Sequence, residues 1–330
     1  MTDRPLAASV DLGRLDRNLR RFHRRAAAFG VAVRPHVKAH MTVEVALRQL
    51  RYGARGIAVT QVAQARGYLA AGFTDIVMAH PWREPWRWRS MAELARDCRL
   101  SAFVDAHESV SGLAAAAGAA GSVIGIRVML GDDEDVTAVA DDDLIALARA
   151  ADGEPALRLD GVNGYQPLDT AEAASGRVSV GRAAAEYSVR VAGLLRARDL
   201  PCPVVAVGGT PTAEGAVAVP GVTEVCAGAY ALQDTGMAAI GVCALDDVAL
   251  SVTATDPVTA DAVLAAHPYP WQTPADYALL ASSVPPRTPI RPPHVCALIR
   301  QVDSVTAHGE SGAEDPCAPW RVLNQRDEPG

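Results

Sequence analysis

Strand-like and helix-like segments alternate along this chain with a regularity that few folds can absorb. Eight short apolar runs, VAVRPHVK, RGIAVTQ, DIVMAHP, LSAFVDA, SVIGIRVML, RLDGVNGYQ, PVVAVGGT and TEVCAGAY, are spaced through residues 31–230. Between them lie segments with helical periodicity, such as TVEVALRQLRYG, QVAQARGYLAAG, PWRWRSMAELARDC, DDLIALARAAD and AAAEYSVRVAGLLRARD, several closed by a Gly where a C-cap prefers one. Strand and helix repeated eight times predict an α/β fold, a parallel (β/α)8 TIM-type barrel. An open doubly wound sheet uses the same units, but no GxGxxG follows the first run. An opening helix is expected over residues 12–29. Beyond about residue 240 the stretch CALDDVALSVTATD and a Pro-rich continuation show strand-like alternation and little helical periodicity. The expected organisation is a barrel over 1–240 and a small, abbreviated β domain over 241–330.

Charge narrows the functional classes. A net charge of -7 leaves no basic surface for nonspecific binding to nucleic acid or to an anionic membrane. The longest uncharged run, residues 109–126, is Ala-rich and broken by Gly112, Gly118, Gly121 and Gly125, so no membrane helix is expected. Asp3, Arg4 and Asp11 interrupt any apolar leader, and the six cysteines show no CxxC pairing. Reduced thiols in a cytoplasmic protein are the expectation.

Among 31 basic residues there is one lysine, Lys38. It stands in RPHVKAH, at the end of the first apolar run, which the barrel rule places at the mouth. Codon bias accounts for the excess of Arg, and a surface lysine at a helix start is the bland reading. A surface position tolerates Arg, however, whereas a Schiff-base position does not: guanidinium stays protonated, while an amine can lose its proton and attack an aldehyde. Arg34, His36 and His40 flank it, and neighbouring positive charge is expected to ease that deprotonation.

Three weaker signals accompany it. Gly208, Gly209 and Thr210 follow the seventh run, where a glycine turn can bring backbone N–H groups to a phosphate, although a tight turn explains them equally well. Tyr230, after the eighth run, could add a hydroxyl there or serve as a core residue. His294 and Cys296 are two apart, which on a strand puts imidazole and thiolate on one face, able to share a metal ion; a buried Cys beside a surface His is the alternative.

Together RPHVKAH, DGVNGYQ, the GGT turn, GAYALQD and PPHVC resemble the D-threonine aldolase and D-serine dehydratase family of pyridoxal-phosphate enzymes, relatives of alanine racemase, in that order along most of residues 5–300. The resemblance implies a homodimer acting on a small amino acid, with the cofactor on Lys38 and Tyr165 near cofactor or substrate. Gly208, Gly209, Thr210 and Tyr230 would hold the phosphate, and His294 with Cys296 a divalent metal at the substrate's β-hydroxyl. Thiolate favours zinc, with manganese or magnesium as alternatives. The implied activity is a lyase on D-configured β-hydroxy amino acids, by dehydration or by retro-aldol cleavage. A racemase-like or repurposed biosynthetic enzyme, a pyridoxal-phosphate holder without turnover, and a cofactor-free Schiff-base aldolase are the other readings. The chain also departs from the family. Where an Arg is expected near the pyridine ring it reads DDEDVTA, with Glu134 or Asp135 in that place. AAHPYPWQTPAD, with His267, replaces the family's Glu-His pair.

Overall fold

The computed structural model describes residues 6–131, 139–165, 168 and 173–254. Its strands, in chain order, are β1 (Leu6–Val10), β2 (Ala32–Pro35), β3 (Ile57–Val59), β4 (Asp75–Met78), β5 (Arg99–Val104), β6 (Ile124–Met129), β7 (Leu157–Gly164), β8 (Val204–Gly208), β9 (Glu224–Ala227) and β10 (Leu250–Ala254). The helices are α1 (Leu12–Ala28), α2 (Val43–Arg51), α3 (Val62–Ala70), α4 (Pro85–Leu94), α5 (His107–Ala120), α6 (Asp141–Asp152), α7 (Ala173–Arg196), α8 (Ala213–Ala216) and α9 (Thr235–Ala239).

Each of the eight apolar runs forms one strand of a single parallel sheet, in the order β2-β9-β8-β7-β6-β5-β4-β3. A parallel bridge between His36 and Ala58 joins the two ends of that order and rounds the sheet into a nearly closed barrel. This bridge decides between the two candidate folds, because a doubly wound sheet keeps two free edges and reverses its strand order. The helices form for the reasons their periodicity gave. Leu15 and Leu19 of α1, one turn apart, are fully buried, and the Asp11 carboxylate accepts the Arg14 N–H at 3.0 Å at the helix start. Gly53 and Gly72, each at positive φ, end α2 and α3 in a backbone conformation that costs glycine no Cβ clash.

The chain forms two compact units, and their limits differ from a single cut near residue 240. Among the described residues, one unit comprises those within 23–38 and 46–228, which hold the barrel strands; the other comprises 6–22, 39–45 and 229–254. In the second unit β1 pairs antiparallel with β10 over five residues, Leu6 opposite Ala254 through Val10 opposite Leu250. The Asn18 amide of α1 donates to the carbonyls of Ala231 and Asp247, at 3.1 and 2.7 Å, and ties this unit together. The rest of the expected β domain lies outside the described residues. Among the described residues no helix is long and apolar enough to cross a membrane.

Candidate active site

Side chains two apart on a strand share a face, so the inward positions of the barrel follow from its register. Towards the amino ends of the strands the interior is charged. Arg34, 2% exposed, donates through Nε to Glu224 at 3.0 Å and through Nη1 to Asp75 at 2.7 Å. Arg127 donates to the same Glu224 carboxylate. Burial alone would raise the Glu224 carboxyl, but the charges and hydrogen bonds of Arg127 and Arg34 overcome it and hold it down to about 2. A Cβ at Gly56 would collide with the Asp75 carbonyl oxygen and come within 2.6 Å of Arg34 Nη1, so glycine leaves room for this network. A second cluster ties Asp160 to Arg158 Nε at 2.6 Å, Ser101 Oγ at 2.6 Å and Arg99 at 3.2 Å. Arg34 therefore does not act on Lys38 as the uncompensated neighbouring charge that the sequence suggested, because its guanidinium is bound to two carboxylates.

Towards the carboxyl ends the interior turns apolar. Ala58, Val77 and Phe103 pack with Ala79, Met129 and Cys226. Lys38 stands in a 3-10 turn over Val37–Ala39, directly after β2 at this end of the barrel, and its charge acts on the Cys226 thiol. Burial first, and then the Glu224 charge, push that thiol up to about 12, so it is protonated at neutral pH and is no rival nucleophile.

The barrel unit also brings Tyr165, Gly208, Gly209 and Thr210 to this end. The Tyr165 ring covers Gly208, where a Cβ would meet ring atom Cδ2 at 2.6 Å. Gly209 has φ +91, and a Cβ there would meet Thr212 Oγ1 at 2.9 Å, so both glycines are demanded by the local packing. The Gly209 N–H donates to the Cys226 carbonyl at 3.0 Å, and Thr212 Oγ1 donates to the Gly208 carbonyl at 2.9 Å. The Gly209 amide thus holds the turn against β9. Tyr230 belongs to the other unit, where it is fully buried with its ring stacked on Phe22 at 4.2 Å. His40, in that unit too, accepts the Thr42 N–H at its Nδ1, at 3.2 Å. His294 and Cys296 lie outside the described residues, as do Glu134, Asp135 and His267.

Two features escaped the reading of the sequence. Beyond the ends of β3 and β4, the Arg87 guanidinium stacks on Trp82 and Trp86, 3.7 and 4.3 Å from their ring centres. Trp82 Nε1 donates to the Thr60 carbonyl at 2.6 Å, which pins the two loops together. The clustered Trp and Arg of PWREPWRW was the available signal. The other feature is Asn163, 4% exposed, whose Oδ1 has no hydrogen-bond partner among the described residues. It stands two residues before Tyr165 on β7, and that spacing was its signal.

The structure is thus a parallel barrel whose one lysine follows the carboxyl end of β2, the end where sites in such barrels lie. The chain belongs to the alanine racemase N-terminal domain family, whose model matches residues 10–246. It is 41% identical over 261 residues to D-threo-3-hydroxyaspartate dehydratase of Delftia sp. (strain HT23), covering 76% of this chain and 66% of that protein. It is 36% identical over 230 residues to D-threonine aldolase of Arthrobacter sp, covering 68% and 60%. A cysteine-to-alanine mutant of D-threo-3-hydroxyaspartate dehydratase, solved in the metal-free form, superimposes with a TM-score of 0.67 at 38% identity, over 76% of this chain and 67% of that one. A histidine-to-alanine mutant of the same dehydratase, altered two positions earlier, gives 0.68 at 39%, over 76% and 65%. The chain thus spans about two thirds of the length of the relatives it matches.

Proposed function

We propose that this chain is a pyridoxal-phosphate-dependent lyase acting on a D-configured β-hydroxy amino acid, with dehydration as its reaction. The observation that carries the reading is the chain's one lysine, in the turn that follows β2 at the carboxyl end of the barrel. The residues there suit the cofactor: a primary amine for its aldehyde, an aromatic ring at Tyr165, a glycine turn beside it, and the buried acceptor of Asn163. When bound, pyridoxal phosphate supplies an electron-withdrawing ring that weakens the bonds at the substrate's Cα.

The chain's own residues then have distinct tasks. Lys38 Nζ would be the attachment point for the cofactor aldehyde and a group able to hold a proton at the substrate's Cα. Tyr165 would stand beside the ring, and the Gly208–Thr210 turn would face the phosphate, with the Gly209 N–H already given to the Cys226 carbonyl and Tyr230 buried against Phe22 in the other unit. His294 and Cys296 would hold a divalent ion, zinc by the softness of thiolate, and that ion would polarise the leaving hydroxyl. Support comes from the dehydratase structures, whose altered histidine and cysteine have the same two-residue spacing. A homodimer in the cytoplasm completes the reading.

Retro-aldol cleavage is the second reading, supported by the likeness to D-threonine aldolase. The test is product analysis after incubation with D-threo-3-hydroxyaspartate, D-serine and D-threonine, with and without chelator. Chelator-sensitive release of ammonia with a 2-oxo acid is the expected result. Glycine plus an aldehyde would replace dehydration by the aldol reading, an L-enantiomer would indicate racemisation, and inertness to all three would overturn the lyase proposal.

A further inference from the structure

Asn163 sits near the carboxyl end of β7, directly opposite Met129 of β6 and Ala206 of β8. Opposed residues share a face, so its amide belongs to the interior that Met129 lines with Cys226, Ala58, Val77 and Phe103. Neither Met129 nor Ala206 has a side chain that can donate a hydrogen bond. Asn163 is 4% exposed, and its Oδ1 has no partner among the described residues. An acceptor left this way carries its full desolvation penalty. Leucine would fill the same space without that penalty, so the polar side chain lowers stability unless something donates to it. Tyr165 follows two residues on, its ring over Gly208, and Lys38 follows β2 at the same end of the barrel.

We propose that Asn163 is a cofactor-contacting residue, its Oδ1 accepting a hydrogen bond from a donor on the ring of pyridoxal phosphate. The inference rests on the cofactor reading above and adds a residue to it. The donor is either the ring hydroxyl or the protonated ring nitrogen, both of which an amide oxygen accepts.

The experiment titrates apoprotein with pyridoxal phosphate, reading absorbance and fluorescence, for wild type, Asn163→Leu and Asn163→Ala. Melting of the same apoproteins is measured alongside. Loss of one hydrogen bond should weaken cofactor binding about tenfold in both variants. Asn163→Leu should meanwhile raise the apoprotein melting temperature by roughly 2–4 °C, since it removes an unsatisfied acceptor. A purely structural asparagine would give the opposite sign. Repeating the titration with the 3-O-methyl cofactor separates the donors: a vanished difference between wild type and Asn163→Leu assigns the hydroxyl, a persistent one the ring nitrogen. Binding within twofold of wild type in both variants, or a lowered apoprotein melting temperature for Asn163→Leu, would overturn the proposal while leaving the cofactor reading intact. Wild-type protein that takes up no pyridoxal phosphate would overturn both.

Discussion

The two ends of one barrel interior follow opposite rules. Near the amino ends, Arg34, Arg127, Glu224 and Asp75 form a buried network in which each charge faces an opposite one, and Asp160 joins Arg158, Arg99 and Ser101 in another. Near the carboxyl ends Ala58, Val77, Phe103 and Met129 form an apolar lining, and the orphaned oxygen of Asn163 is set near it, with Lys38 just past the end of β2. Paired charges fix strand register at the cost of desolvation. A buried acceptor without a donor in an apolar setting is poised for a ligand to complete. The first region is scaffold and the second is the proposed site, although they share strands and differ by only a residue or two along each.

Breaking the scaffold should have the larger effect. Glu224→Ala leaves two buried guanidinium groups without their shared carboxylate and should destabilise the barrel by about 3–5 kcal/mol, measured by urea unfolding. A loss under about 1 kcal/mol would mean the network does not hold the barrel. Gly208→Ala acts on the site instead. Its Cβ must displace the Tyr165 ring, and a cost of about 1–3 kcal/mol with weakened uptake of pyridoxal phosphate is expected; unchanged uptake would detach Tyr165 from the cofactor.

Acid sharpens the same contrast. The Glu224 carboxyl is depressed from 4.5 to about 2, so its stabilisation is complete above pH 4.5 and is lost as pH falls through about 2. Urea midpoints followed from pH 6 to pH 2 should show that loss in wild type and lack it in Glu224→Gln; parallel curves would refute the assignment. The smallest effect is expected at Cys226, whose thiol is pushed up to about 12. Iodoacetamide at pH 7.5 should label it far more slowly than an ordinary thiol, and rapid labelling of its peptide would contradict a protonated, shielded group.

The barrel was legible because its eight strands carry their own apolar pattern and each is followed by a helix that starts and stops on local signals. The pairing of β1 with β10 was not, since LAASV finds its partner more than 230 residues away and nothing in either segment names the other. Lys38 stood out by being alone of its type. Arg34 misled for a related reason: its charge is local in sequence, but Glu224, which neutralises it, lies 190 residues on. Asn163 reads in sequence as an ordinary polar residue before a turn. Only the register that sets it between Met129 and Ala206 reveals an acceptor without a donor.

The central claim is that Lys38 is the cofactor lysine. Purified protein loaded with pyridoxal phosphate should show a visible absorbance band that borohydride removes, and after reduction the cofactor mass should stay on the peptide containing Lys38. Lys38→Arg, a replacement that keeps the charge, should abolish both the band and the adduct. A Lys38→Arg protein that keeps a borohydride-sensitive band, or wild-type protein that shows none, would contradict the account.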